Sequence, residues 1–138
     1  MSEQNKRVAK RLYEDVIGGG EVELIDELVS KDYFGHASAP EFETRGREAY
    51  KQFVHGLRGA FPDLKLKVEE QVAEGDRVVS RWVASGTHNG EYFGIPPSGK
   101  QGSMNGITIE RIVDGVALEC WTNSDDLGLL RQIGAIPG

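Results

Sequence analysis

The sequence predicts an α+β fold: a cone-shaped α+β barrel in which a curved antiparallel sheet wraps around N-terminal helices. Three observations carry that prediction. Apolar residues recur at helical spacing as far as Pro62. Strict alternation follows. Asp114-Gly115 then marks a hairpin between two long alternating stretches. Helices first and strands afterwards leave the helices to cover one face of the sheet, and the concave face of such a cone can hold an internal pocket. With 138 residues, 38% of them apolar, the chain has the size and core of one domain, residues 1–138.

Each element follows from the pattern. Val8, Leu12 and Val16, with Tyr13 and Ile17 beside them, give an amphipathic first helix that Gly18-Gly19-Gly20 ends. Val22, Ile25, Leu28 and Val29 mark a short second helix. Tyr33–Ser38 reads as an extended segment entering the Pro40 loop. Ala49, Phe53 and Leu57 give a third helix, stopped by Pro62. Leu64, Leu66 and Val68 then alternate with Lys65, Lys67 and Glu69, and Glu74-Gly75-Asp76 turns the chain. Val78–Thr87, Met104–Val113 and Val116–Asn123 are the long strands, with a loop over Gly90–Gly99. Ser124 offers an N-cap to a last helix striped by Leu127, Leu130 and Ile133, and Asp125 and Asp126 suit its positive end. Gly134 and Pro137 stop it.

Composition narrows the partners. A net charge of −6 argues against nucleic acid and anionic membranes. One cysteine, Cys120, excludes an internal disulfide framework and fits a reducing, cytoplasmic setting, where its strand position suits a small buried hydrophobe. Met1–Arg11 is polar, so neither a signal peptide nor a membrane span is expected there. His36 and His88 lack a second ligand at helical or hairpin spacing, so no metal is expected. Gly94–Lys100 lacks phosphate-loop spacing, and its prolines remove the backbone N–H groups a phosphate needs.

Trp121, Asp125, Gly128-Leu129-Leu130, Gln132, Ile133 and Gly134 form W-x-x-x-D-x-x-G-L-L-x-Q-[LI]-G. With Phe61-Pro62-Asp63-Leu64, Gly86-Thr87-His88-x-Gly90, Phe93–Lys100 and Val113-Asp114-Gly115 preceding it in that order, this resembles the SnoaL-like polyketide cyclases of the nuclear-transport-factor-2-like superfamily. The resemblance implies a cofactor-independent enzyme that closes a ring by an aldol step, with one carboxylate serving as base and then acid. It places that carboxylate directly after Trp121, where this chain has Thr122. The matching positions of assisting polar residues hold Gly35, Gly106 and Thr108. A threonine hydroxyl can hydrogen-bond but cannot take a proton at neutral pH.

Other residues are therefore weighed for the proton. If Thr122 faces the cavity, alternation brings Cys120 and Leu118 with it and turns Glu119, Trp121 and Asn123 outward, Trp121 toward a subunit interface of a homodimer or under a loop. On the neighbouring strand Glu110, Thr108 and Gly106 share a face. Glu110 is a candidate base if that face is inner, and a partner of Arg111 or Arg81 if it is not. His36 matches a histidine that relatives often carry near the cavity mouth, and imidazole titrates near neutral pH. His88 is either a ligand contact or the anchor of the Gly90–Gly99 loop. His55, on the third helix, is expected at the surface. Arg81, on a central strand, must meet a carboxylate or an anionic group; with two acids it would resemble the water-activating cluster of limonene epoxide hydrolase. The expected site is thus His36, Glu110 and Thr122 for chemistry, with Arg81, Trp82, Thr108, Cys120 and His88 around a hydrophobic, oxygenated small molecule. The alternatives are a binding module that has lost its base, an epoxide-hydrolase-like hydrolase, and a structural homodimer with a filled core.

Overall fold

The computed structural model describes residues 2–37 and 39–137. One six-stranded sheet runs in the order β2-β1-β6-β5-β4-β3. Its strands are β1 (Val29–His36), β2 (Thr44–Arg45), β3 (Lys65–Glu74), β4 (Arg77–Thr87), β5 (Gln101–Val113) and β6 (Val116–Ser124). Helices α1 (Ser2–Lys10), α2 (Ile25–Leu28) and α3 (Arg47–Ala60) precede the long strands, and α4 (Asp126–Gln132) follows them. The strands β3 to β6 form the expected antiparallel meander. Asp114 and Gly115 both adopt positive φ, 52° and 78°, which a two-residue hairpin with the native twist requires.

The structure corrects the sequence reading in several places. The sheet is not wholly antiparallel, because β1 pairs parallel with β6, Gly35 opposite Cys120. A parallel neighbour needs a long crossover, which no short-range pattern reveals. Val29 opens β1 instead of closing the second helix. Ser38, the last residue of the expected extended segment, lies outside the described residues. In α3 the buried stripe is Tyr50, Val54 and Ala60, while Phe53 stands 44% exposed. Asp125, not Ser124, caps α4, its carboxylate accepting the Gly128 N–H at 2.9 Å. A register shift between Arg111 and Ile112 breaks the alternation on β6, so Ala117 is buried and Leu118 does not continue the Cys120–Thr122 face.

The core lies between the helices and one face of the sheet. Beyond α1 the chain continues as a π-helical stretch, Arg11–Ile17. Its Leu12, Tyr13, Val16 and Ile17 are all buried, packed with Ile25, Tyr33, Val54, Val78 and Ile112. That interior face positions the site.

Candidate functional site

Strand alternation sets the inner face residue by residue. Val78, Ser80 and Trp82 of β4 stand opposite Glu110, Thr108 and Gly106 of β5, and Glu110 and Thr108 stand opposite Cys120 and Thr122 of β6. Tyr13, Tyr33 and Tyr50 come down from the helical side and β1. Tyr33 and Tyr50 meet edge to face at 5.1 Å.

Glu110 sits among them, 1% exposed. Its Oε1 accepts from the Tyr13 hydroxyl at 2.6 Å and its Oε2 from the Tyr33 hydroxyl at 2.8 Å. Neither candidate cation reaches it. Arg81 donates to Glu70 at 2.7 Å, and Arg111 donates to Glu119 at 2.8 Å. The sequence alternative of an arginine-paired Glu110 is therefore set aside. Burial pushes its carboxyl up to about 7, against the two tyrosine hydrogen bonds, which favour the charged form. Burial likewise raises Tyr13 and Tyr33 well above the ordinary tyrosine value, so both remain donors. The result is a carboxyl that exchanges its proton near neutrality inside an apolar, tyrosine-lined interior.

A row of hydrogen bonds leads from this interior to solvent. The Trp82 indole Nε1–H donates to Thr108 Oγ1 at 2.9 Å, and Thr108 Oγ1 lies 2.9 Å from Thr122 Oγ1. Thr108 is 4% exposed, whereas Thr122 is an exposed residue on the same face, so the inner face opens to solvent at Thr122. Gly106 is required here: any β-carbon would fall within the Trp82 indole. Cys120 is half-buried beside Tyr33 and Thr122. Burial, and then the nearby Glu110 carboxylate, push its thiol up to about 12. It stays protonated and is no nucleophile.

Three expected residues do not join this group. His36 is on the outer face, its Nε2 2.8 Å from Glu119 and its ring stacked on Trp121 at 4.7 Å. Arg81 is on the outer face too, half-exposed and tied to Glu70. Trp121 turns outward as expected, with the Arg77 guanidinium 4.8 Å above it. His88 is fully buried and anchors the following loop. Its backbone exchanges hydrogen bonds with Lys100 and Gly99, and Ser98 meets its Nδ1 through both hydroxyl and backbone N–H. His55 is exposed, as expected.

Sequence reasoning missed the three tyrosines. Tyr13 carries a signal, since a phenol beside the Val8-Leu12-Val16 stripe brings a hydroxyl into the core that must find a partner. Tyr33 and Tyr50 carry less, because Tyr33 reaches Glu110, with Tyr50 packed on it, only through the crossover that sets β1 against β6.

Residues 7–133 match the SnoaL-like polyketide cyclase family. The chain is 30% identical over 116 residues to the nogalonic acid methyl ester cyclase of Streptomyces nogalater, covering 83% of this chain and 87% of that one. It is 30% identical over 117 residues to the aklanonic acid methyl ester cyclase DnrD of Streptomyces peucetius, covering 83% and 81%. Among solved structures, it is similar to IdmH of Streptomyces antibioticus (TM-score 0.81, 32% identity, 95% and 99% of the two chains covered). A SnoaL-like structure from Jannaschia superposes with a TM-score of 0.86 at 26% identity, covering 99% and 96%. The chain belongs to the SnoaL-like polyketide cyclase family.

Proposed function

We propose that this protein is a cofactor-independent acid–base enzyme acting on a hydrophobic, oxygenated small molecule, with Glu110 as the proton carrier and Thr122 as the group that holds a substrate oxygen. One observation carries the reading: a carboxyl buried with no cation against it among the described residues, held by two tyrosine hydroxyls and raised to about 7. In that state Glu110 removes a proton from carbon next to a carbonyl, leaving an enolate whose oxygen Thr122 meets. The enolate carbon then bonds to a second carbonyl carbon, and the new alkoxide recovers the proton from Glu110. Net, one C–C bond forms and no electron leaves the substrate. Trp82, Thr108 and Cys120 line the approach. The cyclase activities of the relatives support the ring-closing reading, with the base moved from the position of Thr122 to β5.

The experiment is proton exchange at activated carbon. Wild-type protein in D2O should wash deuterium into the α-position of a panel of aryl ketones and β-keto esters, and Glu110→Gln should abolish that exchange. Equal exchange in the variant would remove Glu110 from the mechanism.

A second reading has its own support. Both Glu110 oxygens are already occupied, and Trp82 fills the space over Gly106. A binding module with a filled inner face would bind the same ketones at Thr122 and exchange none of their protons. The hydrolase reading has less, since Arg81 stands outside with Glu70.

The outer face supports a homodimer. Ile107 is 49% exposed there and shares a shallow hollow with Val83, Ile109 and Trp121, an apolar surface that a second copy would cover. Light scattering on the eluted protein tests it, two chains being expected and one chain refuting it. A free thiol at Cys120 suits a reducing compartment such as the cytoplasm.

A further inference from the structure

The hydrogen-bond row beside Glu110 has a direction, and burial sets it. An indole N–H is only a donor, so Thr108 Oγ1 accepts from Trp82. Thr108 then has one hydrogen to place, and its described side-chain partners are Trp82 and Thr122. If Thr122 donated inward, the Thr108 hydrogen would be buried without a partner, and orphaning a buried donor is unfavourable. If Thr108 donates outward, Thr108 is satisfied and the hydrogen left over belongs to Thr122, at the open end of the face. Its protein neighbour there is the Cys120 sulfur, a weak acceptor that a carbonyl oxygen outcompetes. The order is therefore Trp82 to Thr108 to Thr122 to ligand.

Gly106 is what admits this arrangement. With a side chain at that position the indole could not lie where it does, and its N–H could not reach Thr108.

We propose that Thr108 is a positioning residue that fixes Thr122 as a hydrogen-bond donor, so that the inner face selects ligands presenting a bare acceptor oxygen, a ketone or ester carbonyl or the enolate formed from it. This specificity rests on the reading of the inner face as a ligand site, and it does not require Glu110 to be the base. Thr108 acts through Thr122. Its loss should change which ligand is preferred, and not only how well the fold holds.

Two bicyclic probes of similar size separate donor from acceptor: 1-indanone, which can only accept, and indole, which can only donate. Titration calorimetry gives the ratio of their dissociation constants in each protein. Replacing Thr108 by Val keeps the side-chain shape and removes the hydroxyl. The ratio should move about fivefold toward indole, because one hydrogen bond is at stake and Thr122 is then free to accept. Thr108→Ala removes the same hydroxyl and should move the ratio the same way if Thr108→Val fails to fold, whereas Trp82→Phe leaves the Thr108 hydrogen with Thr122 alone to take it and should leave the ratio unchanged. Thr122→Val should weaken 1-indanone without strengthening indole. A ratio unchanged in both Thr108→Val and Thr108→Ala would overturn the proposal, as would an equal loss for both probes, which is what a packing role alone gives. Failure of wild-type protein to bind 1-indanone would overturn it too. The same titrations on Glu110→Gln distinguish the two readings: a preserved preference with no deuterium exchange in wild type leaves the donor row standing and the base assignment fallen.

Discussion

Replacing Glu110 by Gln should make the protein more stable at alkaline pH, with a dependence whose sign follows from the burial. The ordinary carboxyl value of 4.5 describes Glu110 in the unfolded chain, and in the fold it is about 7. Below 4.5 the group is protonated in both states and its charge costs nothing. Between 4.5 and 7 the folded protein binds more protons than the unfolded chain, so stability falls as pH rises. Above 7 the full cost is present, about 3 kcal/mol from the difference between the two values. Glutamine keeps the shape, accepts from one tyrosine and donates to the other, and has no charge to bury. Paired thermal melts of wild type and Glu110→Gln at pH 5, 6, 7 and 8 isolate this group from all others. The difference in melting temperature should widen in favour of the variant by about 10 °C between pH 5 and pH 8 for a chain of this length. A difference that is flat or narrows with pH would refute the argument that Glu110 is an unpaired, desolvated acid.

Two further predictions concern the residues around it. His36→Ala should leave deuterium exchange intact and cost about 1 kcal/mol of stability, since the ring lies on the outer face with Glu119 and Trp121. Loss of exchange with an unchanged urea midpoint would return His36 to the mechanism, as the sequence alone suggested. Gly106→Ala should destabilise by about 1–3 kcal/mol, read from the urea midpoint, because its β-carbon meets the Trp82 indole. A midpoint equal to wild type would mean that the indole does not occupy that space.

The legible part of the fold was the part written in short-range periodicity. The meander from β3 to β6, the Asp114-Gly115 hairpin and the outward turn of Trp121 all follow from alternation and turn chemistry. The stripe of α3 was read one residue out of place, because Tyr50 and Phe53 both look apolar in sequence and only packing against Tyr33 chooses between them. The site was half legible. Glu110, Thr108 and Thr122 share a face by alternation, but whether that face is inner turned on where Arg81 and Arg111 found partners. Those partners, Glu70 and Glu119, lie across strand pairings that the arginines' own segments do not reveal. His36 was misplaced for a related reason. Its side is fixed by the parallel pairing of β1 with β6, which puts Gly35, not His36, against Cys120.

The exchangeable proton of Glu110 is the centre of the account, and its titration tests it most directly. Protein labelled with 13C at the glutamate carboxyl carbon, followed by NMR from pH 3 to pH 9, should show one resonance titrating near 7. That resonance should be missing from Glu110→Gln. If every glutamate, Glu110 included, titrates in the ordinary range near 4.5, then Glu110 carries no poised proton and cannot serve as the acid–base group.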